Sequence, residues 1–132
     1  MKTKDFVSVG ILCLSLTVSS VTVQANEVNM YMGAITMSYA RFNAAQTVAD
    51  ARKALANMRT AAVAARAQKP SALANAPTNN PKLKVYQSEI DRLIAEIDKT
   101  SKLVNAGKLT EAKTEGRKIL QLRDEGHAAM KH

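Results

Sequence analysis

The segment SEIDRLIAEIDKTSKLVNAGKLTEAK (residues 88–113) decides the fold. Its apolar side chains recur at steps of three and four residues, the spacing of one face of an α-helix, up to Val104. The pattern stops at Gly107, which fits the left-handed residue that closes a helix, and starts again at Leu109. The segment therefore predicts two helices joined by a turn of a few residues, and so short a turn makes them antiparallel neighbours.

Two further stripes with helical spacing precede this segment, which gives four apolar faces in total. The first two stripes consist of Val28, Met32, Ile35, Tyr39, Phe42 and of Val48, Ala51, Leu55, Met58, Ala62, Ala65. The third and fourth consist of Leu83, Tyr86, Ile90, Leu93, Ile94, Ile97, Val104 and of Leu109, Ala112, Gly116, Ile119, Leu120, Arg123, His127, Met130. Thr47 to Asp50 resembles a capping box at the start of the second helix, and Asn80-Pro81 resembles an N-cap before the third. We predict an all-α fold, an antiparallel up-down-up-down four-helix bundle.

Residues 1–25 have the features of a cleaved secretory signal peptide. A short charged start precedes an apolar run from Phe6 to Val23, and small residues lead up to a cleavage site after Ala25. A membrane span is the alternative, but it usually needs about 20 strongly apolar residues, and the serines and threonines of this run weaken it. We therefore expect residues 26–132 to form one exported, periplasmic domain with no stable membrane insertion after cleavage.

The composition of residues 26–132 excludes several kinds of site. The chain's one cysteine, Cys13, lies in the predicted signal peptide, so disulfides, thiolate metal sites and thioether attachment of a haem are excluded after cleavage. Without Lys2, Lys4 and Asp5, 17 of the 19 basic and 10 of the 11 acidic side chains remain, a net charge of +7. A basic balance can indicate nucleic acid, anionic lipid or an acidic protein partner. The predicted export disfavours nucleic acid, and the scattering of the basic residues favours a solvated surface for most of them. No nucleophile–base set, inward carboxylate pair or phosphate loop indicates an enzyme.

Both histidines of the chain, His127 and His132, lie in its last six residues. In the predicted topology the first helix starts where the fourth ends, so Met32 and His127 lie on inward stripes at one end of the bundle. An imidazole and a thioether facing each other there can serve as the two axial ligands of a haem iron, with Tyr86 and Ile90 as pocket walls. An inward methionine is also common core filler, and an inward histidine can be a hydrogen-bonded core residue or a helix cap. Spacing alone leaves these interpretations open.

The sequence after residue 25 resembles the soluble cytochrome b562 family over essentially its whole length. The resemblance is carried by KALANMRTAAVAARAQKP (residues 53–70), by Asn-Pro-Lys (80–82), by residues 88–113 and by an arginine four residues before the histidine. It implies a non-covalent haem b with Met32 and His127 as axial ligands of the iron, whereas Met30 and Met37 match no ligand position. The other pocket residues that it implies are Ile35, Tyr86, Ile90 and Arg123, the last near the haem edge.

Gly116 and Gly126 depart from the family pattern, and each is expected to cost about 1 kcal/mol relative to alanine in a helix interior. The resemblance implies a periplasmic one-electron carrier that exchanges electrons with an unidentified, acidic redox partner. Two alternatives stay open. One is a haem-free helical bundle that binds ligands or responds to stress in the periplasm, and the other is a bare metal site formed by His127, His132, Asp124 and Glu125.

Overall fold

The computed structural model describes residues 27–130. The predicted signal peptide, Cys13 and His132 lie outside these residues. Within them the chain forms four α-helices: α1 (27–44), α2 (Val48–Ala67), α3 (Pro81–Asn105) and α4 (Leu109–Met130). A short 3₁₀ turn, Ser71–Leu73, lies between α2 and α3, and no strand occurs in the described range. The predicted all-α class and the four-helix bundle are confirmed.

The helix ends lie where the sequence signals predict them. Thr47 caps α2, because its Oγ1 accepts a hydrogen bond from the backbone N–H of Asp50 (3.1 Å). Asn80 caps α3 in the same way, with Oδ1 accepting from the N–H of Lys82 (2.9 Å) and proline at the first helical position. Gly107 has φ 77° and closes α3 in a Schellman motif, in which its N–H and that of the next residue donate to the last helical carbonyls. Thr47 and Gly107 lie in the two short connections, 45–47 and 106–108, which make α1–α2 and α3–α4 antiparallel pairs, whereas Asn80 ends the longer connection 68–80.

The four predicted stripes form the core. All side chains of the second stripe after Val48 are buried, as are Ile35 and Phe42 of the first. Most of the buried side chains form one cluster along the bundle, and a smaller cluster of Val28, Leu83, Tyr86 and Ile90 closes one end. The fourth stripe departs from the prediction towards its end, where Arg123 is half-buried and His127 is exposed. The bundle is therefore less tightly closed at the end where α1 begins and α4 ends.

Three side-chain pairs fix the register between α2 and α3. Arginines that recur every seventh residue of α2 each contact a residue of α3, and the α3 partners step back by seven. The pairs are Arg52–Asn105 (2.9 Å), Arg59–Asp98 (2.8 Å) and Arg66–Asp91. Each pair is solvent-exposed and contributes little stability on its own. Together the three pairs specify one antiparallel register of α2 and α3 along their whole contact.

Gly116 of α4 allows the Phe42 ring of α1 to pack directly against the backbone of α4. A Cβ added to Gly116 would lie 2.7 Å from Cε2 of Phe42, whose ring is fully buried. The expected cost of Gly116 in helix propensity therefore has a structural reason, because the glycine makes room for an aromatic core residue. At its other end α4 contacts α1 through Arg123 and Thr36. The order of these contacts shows that α1 and α4 are antiparallel.

In the part of the chain that the structure describes, none of the helices combines the length and the apolar character that crossing a membrane requires.

Candidate functional site

An apolar cavity lies at the end of the bundle where α1 begins and α4 ends. Its lining consists of apolar residues from α1, α3 and α4, four polar residues, the backbone of a glycine, and the loop after α2. These are Val28, Met32, Tyr86, Ile90, Leu93 and Leu122, then Asn29, Glu89, Arg123 and His127, then Gly126 and residues 70–72. The cavity measures about 170 Å³. Three helices and a loop thus surround one pocket that contains both predicted iron ligands.

Met32 lies on the first turns of α1 and is half-buried. It packs against both hydrophobic clusters, since it contacts the main core on one side and the cluster of Val28, Tyr86 and Ile90 on the other. The thioether therefore belongs to a side chain that is held by packing, yet one that also lines the cavity.

His127 lies near the end of α4 and lines the cavity from its open side. The side chain is exposed to solvent, although it lies on a stripe that the sequence predicts to face inward. Within residues 27–130 the imidazole makes no hydrogen bond. A ring in this position has both nitrogens available for a ligand in the cavity or for water.

The residues between α1 and α4 show that Met32 and His127 occupy matching positions. Nη1 of Arg123 donates a hydrogen bond to Oγ1 of Thr36 over 2.6 Å. Met32 precedes Thr36 by four residues, one helical turn, and His127 follows Arg123 by four residues. Because the two helices are antiparallel, one turn back along α1 and one turn forward along α4 lead to the same level of the bundle. The thioether and the imidazole thus line one cavity from two neighbouring helices.

Arg123 is held by two helices. Besides Thr36, its guanidinium contacts Asp124, which accepts from Nε (3.1 Å) and Nη2 (2.8 Å) at the same oxygen. The arginine side chain is 21% exposed and lines the cavity. Its charge is therefore partly compensated by a carboxylate, and its position is fixed beside the site.

Tyr86 and Ile90 form the wall on α3, and both are almost fully buried. The Tyr86 hydroxyl donates a hydrogen bond to the carbonyl oxygen of Ala65 at the end of α2. Burial raises the pKa of Tyr86 to about 12. The ring is therefore a fixed, neutral wall that ties α3 to α2 at the level of the cavity.

Ile35 is the predicted wall residue that the structure does not bring to the cavity. It is fully buried in the main core, below Met32. Sequence reasoning did not identify Val28, Leu93 and Leu122 as lining residues, although the first two lie on the predicted stripes. Residues 70–72 also line the cavity, although the sequence identifies them only as part of a loop. It is positioned by Lys69, whose Nζ donates to the carbonyl oxygen of Ala76 (2.7 Å).

Among residues 27–130, no group of three or more histidine, cysteine, aspartate or glutamate side chains is placed to hold a metal ion. The proposed bare metal site also required His132, which lies outside the described residues. The cavity, with its one imidazole and one thioether, remains the candidate site.

A family model described as Cytochrome b562 matches residues 27–131 of the sequence. The match spans all four helices and includes every residue of the cavity. The chain belongs to the cytochrome b562 family. This family consists of haem-binding electron-transfer cytochromes that have a b-type haem, are generally electron carriers rather than enzymes, and are typically periplasmic.

The residues at the cavity fit such a group in their chemistry. Six apolar side chains from the helices line the space, among them the thioether of Met32 on α1, and the imidazole of His127 lines it from the neighbouring α4. The volume of about 170 Å³ lies below the roughly 300–1,000 Å³ of small-molecule sites. A porphyrin therefore fits only if its edge projects from the mouth and the mouth widens. His127 is exposed at this mouth, whereas Met32 is half-buried and packs against the main core.

Proposed function

We propose that this protein is an exported, periplasmic b-type cytochrome that carries single electrons on a non-covalent haem with Met32 and His127 as axial ligands. The observation that carries the proposal is the alignment of these two residues at one cavity. A half-buried thioether from α1 and an exposed imidazole from α4 face the same apolar space, one turn beyond the Arg123–Thr36 contact.

Each side chain has a defined task in this proposal. Haem b, when bound, supplies reversible one-electron exchange at its iron. Met32 and His127 would hold its iron through a thioether and an imidazole, and a haem iron with both of these ligands would be poorly suited to oxygen activation. A methionine ligand also favours the ferrous state and raises the reduction potential.

The remaining lining residues would keep the surroundings constant while the charge changes. Tyr86 and Ile90 are buried and cannot rearrange readily, so they exclude water from the α3 side. Arg123 is bound to Thr36 and Asp124, which keeps its positive charge at a fixed place beside the cavity. A site that does not reorganise on reduction and oxidation is suited to fast electron transfer.

The proposed redox partner is an acidic protein. This assignment rests on the net charge of +7 for residues 26–132 and on electrostatic steering between oppositely charged surfaces. The charged residues of the cavity itself do not contribute an uncompensated charge, because Glu89 pairs with Arg92 (2.9 Å) and Arg123 pairs with Asp124. The steering charge would therefore come from the basic residues elsewhere on the surface.

Visible absorption spectroscopy after titration with haem tests the axial ligands. We expect a low-spin spectrum with sharp ferrous bands for the unmodified protein and a high-spin spectrum for both Met32→Ala and His127→Ala. Met37→Ala is the matched control on α1, since this methionine is 62% exposed and does not line the cavity. His132→Ala is the control for the second histidine.

Two results would contradict the proposal. If Met37→Ala or His132→Ala changed the spin state more than the cavity variants did, the ligand assignment would be wrong. If the unmodified protein bound no haem, the electron-transfer function would be wrong, whatever the ligands. Export is tested separately by N-terminal sequencing of the protein recovered from the periplasm, which should begin at Asn26.

A further inference from the structure

The outer face of α1 is an apolar surface that the bundle leaves uncovered. It consists of Met30, Gly33, Met37, Ala40 and Ala44, all exposed and opposite the buried Ile35 and Phe42. Met30 and Met37 are 59% and 62% exposed. The five residues follow steps of three and four, which is the heptad spacing of a helix face that packs against another helix.

Gly33 has no role within the described part of the chain that explains its lack of a side chain. A Cβ added at this position meets nothing within 4 Å, whereas glycine is unfavourable in a helix interior. This contrasts with Gly116, where the ring of Phe42 occupies the space. A glycine whose surroundings are open within its own molecule is suited to close approach by another molecule.

The charges of α1 indicate how a second helix would be oriented. Only two charged residues occur in 27–44, Glu27 near the start and Arg41 near the end. They are fourteen residues apart, which places them on the same side of the outer face, two heptads apart. Within residues 27–130 neither forms an ion pair. If two copies of α1 pack antiparallel, Glu27 of each copy lies near Arg41 of the other. If they pack parallel, each charged residue lies near the same residue of the second copy.

We infer that the outer face of α1 docks against the same face of a second copy of this chain, in an antiparallel pair with twofold symmetry. In this alignment Met37 of one copy lies against Gly33 of the other, and Met30 lies against Ala40, so that large residues meet small ones. Glu27 lies near Arg41 of the second copy at both ends. A twofold interface requires one self-complementary patch. The outer face of α1 meets that requirement, because its large side chains pair with small ones and its negative residue pairs with its positive one.

The size of the surface limits the strength of the pair. A helix of 18 residues is about 27 Å long, and one helix pair buries less than the roughly 1,200 Å² of standard interfaces. The dimer should therefore be reversible, with a dissociation constant in the micromolar range. An anionic membrane is a poor alternative occupant, because Arg41 is the one basic residue of α1 and the acidic Asp50 lies beside Arg41 and Lys53 at the end of the face.

Sedimentation velocity over a range of protein concentrations tests this inference, and it does not depend on haem. We expect a monomer–dimer equilibrium, weakened at least tenfold by Met37→Lys and by Arg41→Glu. The double variant Glu27→Arg/Arg41→Glu exchanges both charges and should restore the dimer. Val63→Lys, on the exposed side of α2, is the matched control and should leave the equilibrium unchanged.

The inference is overturned if the unmodified protein remains monomeric at about millimolar concentration, well above the micromolar dissociation constant expected for so small an interface. It is also overturned if Val63→Lys weakens association as much as Met37→Lys does, or if the charge exchange fails to restore what Arg41→Glu removes. A monomer that instead binds anionic lipid vesicles through Met37 would show that a membrane occupies the face. None of these outcomes bears on whether haem binds in the cavity.

Discussion

Arg123 and Thr36 join the two helices that carry the proposed ligands. The guanidinium donates to the threonine hydroxyl over 2.6 Å, and that hydroxyl donates in turn to the carbonyl oxygen of Met32 over 3.1 Å. A continuous path of hydrogen bonds therefore runs from α4, one turn before His127, to the backbone of Met32. The distance between the ligand-bearing helices is therefore fixed beside the cavity as well as in the core, where Phe42 packs against Gly116.

Replacement of Thr36 should loosen this connection. Thr36→Val keeps the shape of the side chain but removes the hydroxyl, which should lower the free energy of unfolding by about 1 kcal/mol. Thr36→Ser keeps the hydroxyl and should lose much less. Urea denaturation measures the stability, and haem release to an excess of a scavenging haem protein measures the site. Equal haem release from the valine and serine variants would show that the connection does not position the ligands.

The sequence is sufficient to predict the helices and the end of the bundle that carries the site. Four stripes at helical spacing, Thr47, Asn80 and Gly107 define the elements, because caps and apolar periodicity are local properties. Short connections then force antiparallel neighbours, which is enough to bring Met32 and His127 to one end.

Other features depend on distances between helices and are not visible in one sequence. The depth of a side chain is one of these: His127 lies on an inward stripe but is exposed, and Ile35 lies below the cavity instead of beside it. Gly116 is another, because its purpose becomes evident only when Phe42 of a different helix occupies the space. The pairing of the α2 arginines is a third such feature, because their partners follow the opposite order along the antiparallel helix α3.

The hydroxyl of Tyr86 contributes stability that depends on pH. Its folded-state pKa is raised to about 12 from an ordinary value of 10.0, so the folded protein retains a proton that the unfolded chain loses. Stability should therefore be complete below pH 10 and decline as the pH rises towards 12. Tyr86→Phe should lower the free energy of unfolding by about 1 kcal/mol at neutral pH through the lost hydrogen bond to Ala65.

Urea denaturation at about pH 8 and about pH 11 separates the two effects of Tyr86. The phenylalanine variant should lose less stability between these values than the unmodified protein does. Since the ring stays in the cavity wall, the haem spectrum should not change. A steeper loss of stability in the variant would contradict this account of the tyrosine.

Glu96 of α3 and Glu115 of α4 form a second pH-sensitive contact, away from the cavity. Burial, and then the neighbouring Glu115, raise the pKa of Glu96 above its ordinary 4.5, although Lys118 and Lys99 act against this. The pKa of Glu115 is lowered, chiefly by Lys118, whose Nζ lies 3.0 Å from its carboxylate. Folding therefore makes Glu96 bind its proton more tightly and Glu115 bind its proton less tightly.

Glutamine at these two positions should have opposite effects. Stability due to protonated Glu96 is complete below pH 4.5 and is lost as the pH rises through the folded-state pKa. Glu96→Gln should therefore match the unmodified protein at about pH 4 and exceed its stability at about pH 8. Glu115→Gln removes the partner of two lysines and should be less stable at the higher pH. Thermal denaturation at both pH values measures these stabilities. Equal shifts in melting temperature for the two variants would contradict the opposite pKa shifts of Glu96 and Glu115.

The two unusual glycines of α4 should respond oppositely to alanine. At Gly116 an added methyl group would lie 2.7 Å from the buried Phe42 ring and 3.5 Å from Cγ2 of Thr100. Overpacking of this kind costs about 1–3 kcal/mol, which outweighs the gain of about 1 kcal/mol from helix propensity. Gly116→Ala should therefore destabilise the bundle.

At Gly126 the nearest atom to an added methyl group is Cβ of Glu89 at 3.5 Å, an ordinary van der Waals contact. Gly126→Ala should therefore gain up to about 1 kcal/mol of helix stability, and the gain falls in the turn that carries His127. The variant should release haem more slowly and unfold at a higher urea concentration, because the proposed ligand is held in a stiffer turn. If alanine at 126 stabilised the apoprotein but left haem release unchanged, fraying of this turn would not limit the hold on haem. If both alanines destabilised the protein, the packing assigned to α3 and α4 beside the cavity would be wrong.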